Sequence, residues 1–312
     1  LDGLAATAER LDGRLSFRDE IRRCYGVAAD PATEAELAAA HDRLDELLPG
    51  GGDLRERYRA WRRERAVPRQ AILPALARLE TELRTRTAER FGLPEGESLD
   101  VELVENEPWG AFNYYLGGLR SRVVVNTDVP LRPELLPDYV AHEVYPGHHT
   151  EHAWKERLLV EGEGRLEETI FLTGTPQALV AEGIATNALA ALGPEAEEAC
   201  AAILAELGAG YDLELVRALR EAEKPFARIA HNVALMLHEE GCGRDEAGAF
   251  ALRWNLRSES EVEKLLDFGV HPAWRAYVVV YVAGERLVEP WAAEPARFRR
   301  LLTERLTTSD LR

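Results

Sequence analysis

Ala141-His142-Glu143-Val144-Tyr145-Pro146-Gly147-His148-His149, continued by Thr150-Glu151-His152, is the stretch around which this sequence is organised. It holds four of the eight histidines, and a glutamate directly follows the first. Neutral imidazole is the commonest zinc ligand, and a Glu beside one is how zinc hydrolases supply a general base. The usual pattern, HExxH, places both histidines on one helical face at i and i+4. Here the spacing is longer. On an unbroken helix His148 would sit roughly 9 Å along the axis and about 240° around from His142, and the two could not share a metal. Pro146 changes this, because it removes the hydrogen bond to the His142 carbonyl and crowds that turn. Tyr145 is pushed out of the α region and Gly147 absorbs unusual dihedrals. The sequence therefore predicts a break or bulge at 145–147, with Pro146 opening the next helical turn and His148 swung toward His142 and Glu143. The alternative is a His-rich, solvated helix joint without a metal.

Working outward, the segment before the motif reads as β structure. Residues 99–104 alternate as a strand would, and 111–116 joins 119–126 through Gly117-Gly118 as a hairpin. Pro133 and Pro137 then lead into the helix carrying His142. An edge strand close to a metal can hydrogen-bond an extended peptide as one more strand; equally, the ribbon is a structural feature. After the motif the pattern is almost wholly helical. Residues 150–162 continue the motif helix, and Thr175-Pro176 opens another that contains Glu182 among small and apolar residues. An unpartnered carboxylate there is costly. It is either a third ligand or a buried group paired with an Arg or a cap. Pro225 to His238 reads as a helix bringing His231, a lone His of the kind more often a satisfied core or surface residue than a ligand. Tyr277 and Tyr281, four apart, share a face if their segment is helical. A hydroxyl there suits an oxyanion, although such residues are by default core aromatics.

The N-terminal part is helical as well. Leu1, Leu4, Leu11, Leu15 and Ile21 pattern one helical stretch, Asp30-Pro31-Ala32-Thr33-Glu34 caps another, and Pro49-Gly50-Gly51-Gly52 ends it. From Leu54 to about Phe91 the pattern is helical with breaks or kinks near Pro68 and Pro74. Its Arg-rich face (Arg55, Arg57, Arg59, Arg62, Arg63, Arg65) reads as a solvated surface laced with Glu rather than a phosphate site.

The chain's 312 residues suffice for one large domain without staples, and 46% hydrophobic with 30% charged residues is a globular balance. A formal charge of −17 argues against nucleic acid or an anionic membrane as partner. Cys24, Cys200 and Cys242 are scattered, without CxxC spacing, as befits thiols in a reducing compartment. No charged-then-apolar leader opens the sequence, which starts at Leu1 and so leaves room for an upstream segment. No apolar run reaches membrane-spanning length. The expectation is a soluble, cytoplasmic protein.

The string His142-Glu143-Val144-Tyr145-Pro146-Gly147-His148-His149 resembles the HE-x-YPGHH signature of the bacterial family known as domain of unknown function 885. Ala181-Glu182-Gly183-Ile184-Ala185 is similar to that family's EGWA element, with Ile where Trp is favoured. Glu261-Val262-Glu263-Lys264, Pro272 and Tyr281-Val282-Ala283-Gly284 resemble its C-terminal EVER…P…YxxG run, with Lys264-Leu265 in place of Arg-Tyr. That family is grouped with the HExxH-type metallopeptidases, and its fold resembles the helical, cleft-containing carboxypeptidases of the Taq type. The resemblance implies His142, His148 and Glu182 as zinc ligands, Glu143 as the base and Tyr281 as a donor to the oxyanion.

The expected architecture is a mostly α, single domain over 1–312: an N-terminal helical part (1–98), a small β-ribbon (99–128) and a helical catalytic part (129–312). The expected function is zinc-dependent hydrolysis of a peptide or small amide, in the manner of a carboxypeptidase, with Asn126, Tyr277 and His231 as candidates for contacting substrate. The alternative is a catalytically silent helical scaffold or binding protein without a productive metal.

Overall fold

A computed structural model describes residues 2–12, 14–107, 109–128, 130–272 and 274–312. Leu1, where the N-terminal pattern opens, lies outside the described residues, as do Val129, Ala273 and the side chains of Leu4 and Leu11. The fold is mostly α with one small three-stranded sheet. The chain divides into two compact units. One comprises Leu1–Glu64, Thr173–Ala178 and Glu214–Ala283; the other comprises Arg65–Leu172, Leu179–Leu213 and Gly284–Arg312.

The first unit is helical. Helices Glu34–Leu47 and Glu259–Val270 both start with a capping box, in which Thr33 or Ser258 accepts from the N3 backbone while Glu36 or Glu261 reaches back to the cap. The Arg-rich helix Leu54–Glu64 is not merely solvated. Arg55 donates to the carbonyls of Leu252 and Arg253, and Arg59 to those of Leu256 and Arg257. These carbonyls close the helix Arg244–Asn255, whose last turn leaves acceptors unsatisfied and favours positive charge. Arg62 pairs with Glu261 at 2.9 Å. Pro225 stands in the last turn of Leu213–Ala227 rather than opening the next helix, which runs from Ile229 to His238.

The second unit carries the motif. Helix α1 (Arg69–Arg90) runs through Pro74 without ending, and its Ile72, Leu76, Leu79 and Leu83 are buried. Strands β1 (Ser98–Val104), β2 (Ala111–Gly117) and β3 (Arg120–Asn126) follow. The hairpin read across Gly117-Gly118 is present as the antiparallel pair β2–β3, while β1 lies parallel to β3 on its other side, giving the order β1-β3-β2. β2 is thus an edge strand. Helix α2 (Leu135–Glu143) and helix α3 (His148–Lys155) contain the motif. Residues 179–186 of α4 (Pro176–Thr186), Glu182 among them, belong to this unit, as do residues 284–292 of α6 (Val280–Ala292), while α5 (Pro194–Glu206) and α7 (Pro295–Thr303) lie wholly within it. Leu79, Leu83, Val123, Val125, Leu136, Val140, Ile184, Leu204, Val288 and Phe298 belong to one contiguous buried core. That core grips α2 and α4, the two helices that must meet for a site to form.

Candidate metal centre

The helix does break at the Pro-Gly pair. α2 ends at Glu143, where the Val144 and Tyr145 amides both turn back to the Val140 carbonyl at 2.9 and 3.0 Å. The Gly147 amide reaches the Ala141 carbonyl at 2.9 Å, and α3 opens at His148 with Thr150 bonded to the Val144 carbonyl through both its amide and its hydroxyl. The Tyr145–Pro146 peptide is cis. The chain doubles back so tightly that a Cβ on Gly147 would overlap the carbonyl oxygens of His142 and Ala141. Only glycine fits there, for steric rather than dihedral reasons.

This reversal sets the His142 and His148 rings edge to face, centroids 4.9 Å apart at 87°. Glu182 arrives from α4. That helix passes close to α6 because neither Gly183 nor Gly284 has a side chain, and a Cβ on Gly183 would stand 2.5 Å from the Gly284 carbonyl oxygen. Asn187 bonds the Gly183 and Glu285 carbonyls at 2.8 and 3.0 Å and fixes the crossing. Glu182 Oε2 lies 3.4 Å from His142 Nε2, and its Oε1 lies 3.7 Å from His148 Nε2. One ligand atom from each residue lies within 4.8 Å of the other two. Metal–nitrogen and metal–oxygen bonds of about 2.0–2.1 Å in a tetrahedron imply ligand separations of roughly 3.4 Å, so the three donors fit around one ion. The His-His-Glu group can hold a metal ion.

The electrostatics are those of a charged, desolvated cluster. Burial opposes charge on His142, but the hydrogen bond to Glu182 and the nearby carboxylates of Glu143 and Asp138 outweigh it and raise the imidazole to about 9. A metal requires the neutral ring, so proton and ion compete there. Burial pushes the Glu143 carboxyl up, while the His142 and His148 imidazoles pull it the other way. Glu143 is 6% exposed, and its backbone carbonyl accepts from Asn113 of β2 at 2.6 Å.

The other two histidines of the motif stand apart from this group. His149 is fully buried between Ser121 Oγ, 2.8 Å from its Nδ1, and Glu97 Oε2, 2.9 Å from its Nε2. His152 stacks on Tyr115, centroids 5.0 Å apart, and burial drives its imidazole down to about 4. Glu97 was not foreseen. It lies in the turn residues Gly92-Leu93-Pro94-Glu95-Gly96-Glu97, where nothing in the spacing marks it, and only its burial beside a cluster of donors reveals it. Glu156 was also missed: it accepts from the amides of Gly118 and Leu119 and from the Tyr115 hydroxyl, pinning the β2–β3 turn to the end of α3.

The expected substrate contacts have other partners. Asn126 donates to the carbonyls of Glu107 and Trp109 at 2.9 Å and accepts from the Asp128 amide, so it is committed to the end of the ribbon. His231 has no exposed surface to offer a substrate, and its Nδ1 faces the Asp30 backbone. It is a core histidine of the first unit. In that unit Tyr277 is buried, with its ring edge-on to Tyr25 and Trp274, while Tyr281 is 43% exposed and edge-on to Tyr277.

No family model matches the chain, and no curated protein matches it. Among solved structures it is similar to a "putative lipoprotein" from Colwellia psychrerythraea, with a TM-score of 0.63 and 18% identity. The match covers 99% of this chain but 53% of that one, so the chain spans about half the length of that protein. At this identity the likeness concerns the fold. No helix among the described residues is long and apolar enough to cross a membrane.

Proposed function

We propose that the protein is a zinc-dependent peptidase, hydrolysing peptide bonds or closely related amides with a water that Glu143 deprotonates. The observation that carries this reading is the convergence of His142, His148 and Glu182 next to a buried glutamate that immediately follows a ligand. Two imidazoles and one carboxylate are a recurrent zinc set in hydrolases, and zinc so held leaves a position open, lowers the pKa of water and polarises a carbonyl. Glu143 supplies the proton traffic. Burial shifts its carboxyl upward, which makes the carboxylate a stronger proton acceptor. Asn113 holds the Glu143 main chain in place.

The edge strand β2 offers an extended peptide a row of backbone groups, since its outer edge pairs with no strand among the described residues. The similarity of 142–149 and 181–185 to the 885 family supports the same chemistry. Elemental analysis of the purified protein together with digestion of a peptide library tests the proposal. About one zinc per chain and metal-dependent cleavage are expected; a protein that takes up no zinc and cleaves nothing is a scaffold.

A further inference from the structure

We infer that Glu97 is a positioning residue of the metal centre: one of its oxygens clamps Tyr145 and His149, which flank the Pro146-Gly147 break, and so sets the separation of His142 and His148. This inference rests on the metal-site reading above. Oε2 of Glu97 accepts from the Tyr145 hydroxyl at 2.5 Å and lies 2.9 Å from His149 Nε2. A carboxylate only accepts, so that ring nitrogen carries the hydrogen. The other oxygen, Oε1, is held by Arg84 of α1, with Nε at 2.7 Å. His149 Nδ1 meets Ser121 Oγ of β3 at 2.8 Å. The ring is thus bonded through both nitrogens and is fixed against rotation. The side chains of Glu97 and His149 are both 0% exposed.

A clamp is needed because the two histidine ligands come from different helices. In a single-helix motif the backbone register fixes the ligand spacing. Here the register is lost between Val144 and Gly147, and the local bonds from Gly147 to Ala141 and from Thr150 to Val144 join the backbones without fixing the side chains on either side. Tyr145 stands at the end of the first half and His149 directly after the ligand that opens the second. Holding both on one oxygen joins the halves across the break. A metal–nitrogen bond tolerates displacements of only a few tenths of an ångström, so loss of the clamp is felt at the ion.

The test uses the full chain with zinc alone as the probe, carrying Glu97→Gln or Tyr145→Phe. Zinc affinity is measured by competition with a chromophoric chelator, and the melting temperature is recorded with and without zinc. Glu97→Gln is expected to bind zinc about 10- to 100-fold more weakly, as is typical for residues supporting metal ligands. Tyr145→Phe, which keeps the ring and removes one of the two donors, is expected to show a smaller loss. In both, the rise in melting temperature on adding zinc shrinks. Leu204→Ala is the control for simple destabilisation. This buried residue of α5 lies outside the network, and its loss lowers both melting temperatures while leaving zinc affinity intact. Wild-type zinc affinity in a folded Glu97→Gln protein overturns the inference. If that variant does not fold, Tyr145→Phe decides by the same criterion. A wild-type protein that binds no zinc overturns the metal-site reading itself, and this inference with it.

Discussion

The side-chain amide of Asn113 donates to the backbone carbonyl of Glu143 at 2.6 Å, tying the middle of the edge strand β2 to the last turn of α2. Strand and motif helix are therefore one rigid piece at the residue proposed as the base.

That placement separates base from ligand experimentally. Glu143→Gln keeps the shape and the Asn113 contact, which is to the main chain, but removes the proton acceptor. Near-normal zinc content is expected, with hydrolysis reduced at least about 10²-fold. His148→Ala loses metal and activity together. Full turnover by Glu143→Gln on an accepted substrate would refute the mechanism even with zinc present.

Glu182 is expected to behave as a ligand. Glu182→Ala should reduce zinc affinity sharply in a chelator competition, because the two imidazoles remain without their carboxylate. Glu161→Ala, which breaks only the exposed pair with Arg157 at 2.6 Å, should not. Equal zinc affinity in the two variants would remove Glu182 from the site.

Gly147→Ala tests the reversal directly. With two carbonyl oxygens inside the space of a Cβ, the backbone must shift, at a cost of more than about 3 kcal/mol, in the upper tail of single substitutions. Urea titration should show the loss, and zinc binding should fail where the protein still folds. A variant as stable as the wild type would mean that the turn has room for a side chain.

Acid sensitivity follows from two carboxyls held down to about 2. Burial opposes the shift of Glu97, but bonds from His149, Tyr145 and Arg84 win; for Glu261 burial is likewise outweighed, by the Ser258 amide and Arg62. A carboxyl whose pKa is lower in the folded chain contributes stability that is present above its unfolded value, about 4.3, and is lost as pH falls through the folded value. Urea midpoints should therefore drop between about pH 4.5 and 2. Glu261→Gln should make that limb shallower; an unchanged slope would show that Glu261 carries none of it.

The sequence announced the break because proline and glycine act locally: the lost hydrogen bond at Pro146 needs no tertiary knowledge. Helix content and the Gly117-Gly118 hairpin were legible for the same reason. The pairing of β1 with β3 was not, since a parallel neighbour leaves no turn to read. The Arg face of Leu54–Glu64 looked solvated because the acceptors of Arg55 and Arg59 are backbone carbonyls some 200 residues on, as with the separation of 197 between Arg55 and Leu252. Asn126 and His231 were offered to a substrate on residue type alone, whereas their hydrogen bonds go to nearby main chain or to the core. Glu182 was ambiguous between ligand and buried ion pair, and the Gly183–Gly284 crossing that places it is a long-range contact.

The Gly147 reversal also bears on transplantation. A single-helix zinc motif can be grafted onto a foreign helix or made as a short peptide, because its register travels with it. A synthetic fragment spanning 135–155 would carry His142, Glu143 and His148 but neither Glu97 nor Ser121, and without those anchors only the local Gly147–Ala141 and Thr150–Val144 bonds hold its halves against each other. Eight consecutive letters that look like a portable cassette belong to the architecture around them, and a designer borrowing this motif must borrow the strand and the turn as well.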